Sequence, residues 1–386
     1  MKTFRIMCAA LLAAMTLASC QKEQAGKDNG PQQPKTITIS LSNVSLPSKS
    51  SSTAQLTNAS TAQINNFQVF LADADGNFYK GLNADGSEAA HYFEIDPSDP
   101  QAALTQVFHY VKPAVSKVYV VANLGEEKSF AKVENLEGHT ISIASQQDEH
   151  LENLVLFGKD ESLEISSQHG NHEVTEVYRA DVPIAPLIAR IEVVNFTTTF
   201  VENSAYKSVT VDKLAFNDYY TSCTLAGEVS SRVNTEITDA NAYTYLNGLT
   251  GTQWYFDNLD HNPTNALEEP VIMTRTSATE HDITTVFRHH YAYHFFPSAS
   301  ATLGNSEGYP QLVVGVTAED NQEMDNKHYL ATTSFTGDSN FKGFKPGEIY
   351  RINFKFATTS MKNQLKCVEV SVSVQPWTII TLTPNL

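Results

Sequence analysis

Thr36-Ile37-Thr38-Ile39-Ser40-Leu41 alternates hydroxyl and apolar side chains without a break. An extended chain points successive side chains to opposite faces, so Ile37, Ile39 and Leu41 share one face and can bury together. The same period recurs along the chain. Phe67, Val69 and Leu71 repeat it and lead into Asp73-Ala74-Asp75-Gly76-Asn77 and then Phe78-Tyr79. That order reads as strand, tight Asp-Gly turn and return strand. Asp85-Gly86 reads as a second such turn. Val118-Tyr119-Val120-Val121-Ala122 and Leu312 to Val316 are continuous apolar runs, the signature of strands covered on both faces. Ala189 to Phe196 carries Ile191, Val193 and Phe196, and Tyr350, Ile352, Phe354 and Phe356 alternate with Arg351, Asn353 and Lys355. Short runs of Thr, Val, Tyr and Phe broken by Gly, Asn, Asp and Pro predict a mostly β protein with few short helices. Gln101 to Val111 is the best helix candidate.

The 386 residues suffice for two domains, and 41% hydrophobic against 18% charged residues excludes wholesale disorder. Val182-Pro183-Ile184-Ala185-Pro186 places two prolines where both cannot sit inside a central strand. It predicts a crossover between an N-terminal β domain, 36–185, and a C-terminal one, 186–386. Acids outnumber bases 43 to 26, a net charge of -17, which leaves no basic face for a nucleic acid. Four cysteines, Cys8, Cys20, Cys223 and Cys367, are too few for a disulfide scaffold and too far apart for a zinc knuckle. Cys223 and Cys367 stay open as a pair.

Residues 1–19 read as an export signal: Lys2 and Arg5 are followed by the apolar run Met7 to Leu17, too short to span a bilayer. Leu17-Ala18-Ser19-Cys20 resembles the lipobox of bacterial lipoproteins, with Cys20 as the acylated residue. Residues 20–35 are polar, lack apolar periodicity and read as a flexible tether.

The last stretch is apolar. Val368, Val370, Val372 and Val374 alternate with Glu369, Ser371, Ser373 and Gln375; Pro376 interrupts, and Trp377, Ile379, Ile380 and Leu382 follow. At ~3.3 Å per residue, residues 367–386 would reach roughly 60 Å, more than one ordinary strand. Two readings stand: a final hairpin folded back into its own domain, or a strand given to another molecule.

Together the lipobox, the tether, the first alternating strand, Val-Tyr-Val-Val-Ala-Asn-Leu-Gly at 118–125, Leu-Ile-Ala-Arg-Ile-Glu-Val at 187–193, Pro346-Gly347-Glu348-Ile349-Tyr350-Arg351-Ile352 and the closing Val370 to Trp377 resemble the Bacteroidales type V fimbrial subunits. The resemblance implies two tandem transthyretin-like β-sandwich domains and no enzymatic activity. It implies export as an outer-membrane lipoprotein, then a trypsin-like cut after a basic residue behind the first strand. Losing residues 36–49, with Ile37, Ile39 and Leu41, opens a groove. A C-terminal donor strand of another subunit fills it, so Val368, Val370, Val372, Val374, Trp377, Ile379, Ile380 and Leu382 would be the pocket-filling side chains. The implied partners are other fimbrial subunits in a head-to-tail polymer, a processing protease, and host surface glycans or proteins reached by the extracellular fimbrium. Family members are usually cut after an arginine. Here none lies between Arg5 and Arg179, and Lys49 takes the expected position. Without a cut at Lys49 the chain would stay lipid-held as an anchor subunit.

Other constellations carry less. His281, His289, His290 and His294 with Asp282 lack a metal-ligand spacing, and their aromatic neighbours suggest a strand lining a core. Asp73-x-Asp75-Gly76-Asn77 opens like a calcium loop, but its twelfth position is Ala84 rather than Glu. No nucleophile elbow, phosphate loop or dinucleotide fingerprint occurs, so no catalytic residue, metal or cofactor is expected. Trp254-Tyr255-Phe256 could form a sugar platform, the basis of an alternative reading as a glycan-binding surface lipoprotein.

Overall fold

The computed structural model describes residues 34–42, 63–96, 104–146, 153–166, 176–236, 266–277, 279–299, 310–320, 326–337, 343–358 and 365–376. Strands dominate them. The first half runs β1 (Lys35–Ser42), β2 (Asn66–Asp73), β3 (Phe78–Tyr79), β4 (Tyr92–Glu94), β5 (Thr105–Val111), β6 (Val115–Ala122), helix α1 (Val133–Glu137), β7 (Thr140–Ser142), a 3-10 turn (Ile143–Gln146), β8 (Leu156–Asp160), β9 (Glu164–Ile165), β10 (Val177–Pro183) and β11 (Ala185–Pro186). The second half runs β12 (Ala189–Thr199), β13 (Tyr206–Asn217), β14 (Tyr219–Thr224), β15 (Val229–Val233), β16 (Ala266–Thr274), β17 (Asp282–Phe295), β18 (Gln311–Asp320), β19 (Asn326–Gly337), β20 (Glu348–Ala357) and β21 (Leu365–Pro376).

In the first half two sheets face each other. One has four strands in the order β5-β1-β10-β9; the other runs β11-β8-β6-β2-β3, with β4 also beside β2. Ile37, Ile39 and Leu41 of the first sheet share a buried cluster with Phe67, Val69, Leu71, Val118 and Val120 of the second. This is the two-layer solution for sheets that each carry one apolar face. Gly158 of β8 sits where the layers meet, and a Cβ there would lie 2.2 Å from the Pro183 carbonyl oxygen.

The two prolines of the crossover end two different strands. Pro183 is the last residue of β10, Pro186 the last of β11, and between them the chain passes from one sheet to the other. Ile188 still belongs to the first cluster, while Ala189 opens the second. The second cluster is held by an eight-stranded sheet, β16-β13-β18-β19-β21-β20-β12-β17. It curls: Thr198 of β12 donates a hydrogen bond to Met273 Sδ of β16, 3.3 Å away, although the two strands are far apart in the strand order.

One sequence expectation fails. The helix candidate 101–111 is strand β5 from Thr105 onward, with residues 101–103 outside the described residues. Thr105, Val107, Phe108, Tyr110 and Val111 favour the extended chain, and two sheet neighbours outweigh a weak helical period. The helix present among the described residues is α1, a single turn whose buried contact is Leu136.

Candidate functional site

β1 lies inside the first sheet, between β5 and β10. It pairs in parallel with β10, from Thr36 opposite Val177 to Ser42 opposite Pro183. It pairs antiparallel with β5, from Lys35 opposite Val111 to Ser40 opposite Thr105. Both edges are therefore occupied by strands that come later in the chain, and neither is joined to β1 by a hairpin turn. The inward face is dry: Ile37 is 0% exposed, Ile39 1% and Leu41 7%. Strands stand ~4.8 Å apart, so taking β1 away would leave β5 and β10 about 10 Å apart with their facing backbone groups unpaired. β1 fills a slot.

The slot has one polar position. Lys35 shares the inward face with Ile37, Ile39 and Leu41, and it is buried. Its ammonium donates to the Val115 carbonyl oxygen and lies 4.4 Å from the centre of the Tyr178 ring. The Tyr178 hydroxyl donates to Glu176 Oε2 at 2.6 Å, placing a carboxylate at the hydroxyl end of the ring. Burial pushes the Lys35 pKa down, and the Glu176 charge opposes this. Thr36 N–H donates to the Glu176 carbonyl, and Leu41 N–H to the Leu104 carbonyl, closing both ends of the strand.

Lys49 and Cys20 lie outside the described residues. The sequence still isolates Lys49: it is the one Lys or Arg between Lys35 and Lys80. The donor stretch is described up to Pro376. Its alternating part is strand β21, parallel to β19 from Leu365 opposite Tyr329, and antiparallel to β20 from Val370 opposite Phe354. Val368, Val370, Val372 and Val374 thus stand in the chain's own sheet, while Trp377, Ile379, Ile380 and Leu382 lie outside the described residues, as does Trp254-Tyr255-Phe256.

Asp73, Asp282 and His281 take structural roles, while the side chains of His289 and His290 lie outside the described structure. Asp73 caps the β2–β3 turn. Its carboxylate accepts from the backbone N–H groups of Asp75 and Asn77, both at 2.9 Å, from Asn77 Nδ2 at 3.0 Å and from the Tyr79 hydroxyl at 2.7 Å. The bonds from Asn77 and Tyr79 hold its pKa down at about 2. Gly76 supplies the positive φ, +78°, that the turn needs. Asp282 bonds to Thr199 and Lys355 at the open face of β17, while His281 Nδ1 lies 3.1 Å from the Phe200 carbonyl oxygen.

His294 is part of a network that the sequence did not reveal. Its Nδ1–H donates to the Gln146 carbonyl at 2.8 Å, and its Nε2 accepts from Arg190 Nη1 at 2.9 Å. Arg190 Nε donates to Glu192 Oε1 at 2.8 Å, and Arg351 Nε to Glu192 Oε2 at 3.1 Å. Gln146 in turn accepts from Val155 N–H at 2.8 Å. This buried chain of polar groups ties the first half to the second, beside the pairing of β7 with β14. Burial, with the Arg190 charge beside it, pushes His294 down to about 3, so the ring is neutral and fixed in one tautomer. Cys223 lies at the same seam. It is a free buried thiol that packs in the first cluster and donates to the Thr224 carbonyl, so the pair with Cys367 is not formed. Burial raises its pKa to about 12.

No protein-family model matches the chain, and no curated protein sequence matches it. Solved structures do. A candidate cell adhesion protein from Parabacteroides distasonis superposes with a TM-score of 0.54 at 12% identity, over 91% of this chain and 99% of that one. A fimbrilin from Porphyromonas gingivalis superposes with a TM-score of 0.51 at 11% identity, again over 91% and 99%. The chain has the fold of a Bacteroidales fimbrilin, in agreement with the resemblance carried by its sequence motifs. At such identities the likeness is one of fold.

Proposed function

We propose that the chain is a structural, non-enzymatic subunit of a cell-surface fimbria. It polymerises when its first strand is cut away and the slot takes a strand from the next copy. The observation that carries this reading is β1 itself: a central, dry strand with two non-local partners, followed by a single basic residue at Lys49. A strand held by no hairpin can leave once its loop is cut. β-Augmentation then refills the slot, with main-chain hydrogen bonds giving affinity and alternate side chains giving register. Burying Val368, Val370 and Val372 at ~1.5–3 kcal/mol each would return roughly 5–9 kcal/mol before ordering costs. The contact is heterologous, so it propagates as a filament.

The exchange requires β21 to leave its place between β19 and β20. In this reading the precursor is held at the outer membrane by acylated Cys20, and the fimbrium carries adhesion to host surface glycans or proteins. Lys49 in place of an arginine favours one second reading, an uncut anchor subunit that keeps β1 and its lipid. The two separate on Lys49→Gln. A stalk subunit loses assembly and accumulates with an acylated Cys20 N-terminus. An anchor behaves as wild type, with residues 36–49 still attached in both.

A further inference from the structure

The slot around β1 reads a pattern. Its inward side takes a basic residue, then three apolar ones at every second position: Lys35, Ile37, Ile39 and Leu41. The basic residue is specified by the Val115 carbonyl, the Tyr178 ring and the Glu176 carboxylate bonded to the Tyr178 hydroxyl. The same pattern stands at Lys366-Cys367-Val368-Glu369-Val370-Ser371-Val372-Ser373. Beyond Cys20, no other Lys or Arg heads three apolar residues in alternation. Even the outward side agrees at two places, with Ser371 and Ser373 where β1 has Ser40 and Ser42. The settings agree as well. β1 lies between a parallel strand, β10, and an antiparallel one, β5; β21 lies between a parallel strand, β19, and an antiparallel one, β20.

We propose that the strand entering the slot from a second copy is Lys366–Ser373, running in the direction of β1. Lys366 takes the cradle of Lys35, and Val368, Val370 and Val372 take the places of Ile37, Ile39 and Leu41. This rests on the polymerisation proposed above and adds its register and a charged specificity determinant. An alternating apolar strand alone can slip by two residues and still bury its valines. A cation at one end fixes the register, because any slip puts an ammonium into a dry pocket or leaves the Val115 carbonyl unpaired.

Thr38 stands opposite Val107 of β5, and Val107 is exposed, so the register is open to cross-linking. The full chain, cut at Lys49, is assembled from protein carrying Val107→Cys with Glu369→Cys in a Cys367→Ser background. Expected is an oxidative cross-link between subunits for Glu369→Cys and none for native Cys367 or Ser371→Cys. Lys366→Met should slow polymer growth about tenfold, the size of a desolvated cation–π contact, and Lys366→Arg should restore most of it. On a Tyr178→Leu background the Lys366→Met effect should shrink, leaving the part due to the Val115 carbonyl. Polymers that cross-link at another position, or grow equally well with Lys366→Met, overturn this register and leave strand donation standing. Cut wild-type chain that forms no polymers at all overturns strand donation and the register with it.

Discussion

β1 and β21 stand in matching surroundings and differ in how they are held. Each lies inside a sheet between one parallel and one antiparallel neighbour. β21 forms a hairpin-like antiparallel pair with β20, the strand just before it in the chain. β1 has no sequence neighbour beside it, and both of its partners arrive much later. Local pairing forms early and re-forms easily after opening, whereas a strand held only by distant partners depends on the covalent loop behind it. The first strand is thus tightly packed yet held only by strands distant in sequence. Under the proposed function, packing keeps it in place and a cut at Lys49 lets it leave.

The largest effect is expected at Ile39, which is 1% exposed at the centre of β1. Ile39→Asp should destabilise the first half by about 3–5 kcal/mol, since a buried carboxylate finds no partner there. The second half has its own core cluster and should keep its structure, so thermal unfolding should split into two transitions. A single transition moved as a whole would mean the halves are one cooperative unit.

The seam between the halves is next. Glu192→Gln leaves Arg190 with one fewer charged partner in a buried site, and a loss of about 3 kcal/mol is expected by denaturant melting. Lys35→Met follows. It removes the cation over Tyr178 and leaves the Val115 carbonyl without that donor, an expected loss of about 1–2 kcal/mol. Hydrogen exchange should show the change concentrated in β1 and not in β21.

Acid should separate two sites by the order in which they yield. His294 is neutral in the fold, with its pKa lowered from 6.5 to about 3. Its contribution is complete above pH 6.5 and is lost as pH falls toward 3. Asp73 is lowered from 3.8 to about 2, so its contribution is complete above about pH 4 and lost as pH falls toward 2. NMR titration should therefore show the seam loosening before the β2–β3 turn. The reverse order would contradict the buried, neutral assignment of His294. The smallest effect is expected for Val107→Ser on the exposed side of β5, within about 0.5 kcal/mol of wild type.

Much of this architecture is legible in the sequence, and the limits have physical causes. Alternation marks the inward face of β1, continuous apolar runs mark the buried β6 and β18, and Asp-Gly chemistry marks the turn at Asp73-Asn77, because those signals are local. It does not say which strands are neighbours, so the parallel pairing of β1 with β10 could not be read. Nor does it say whether the second face of a strand is covered. Arg190 and Glu192 alternate with Ile191 and Val193 like a solvated face, yet they are 2% and 1% exposed because His294, Gln146 and Arg351 close over them. The helix expected over 101–111 is a strand from Thr105 onward because partners distant in sequence decide its state. The Lys35 cradle is not legible for the same reason: Val115 and Tyr178 meet it only in the fold.

The central claim is that one strand leaves the slot and another takes its place. The direct measurement is the stoichiometry of residues 36–49 in assembled material. Full-length chain is cut at Lys49, allowed to polymerise, and the polymers are separated, denatured and analysed by mass spectrometry. The account predicts chains beginning at Ser50, with the β1 peptide retained by uncut or unassembled protein and absent from polymers. Polymers that hold one β1 peptide per subunit would contradict it.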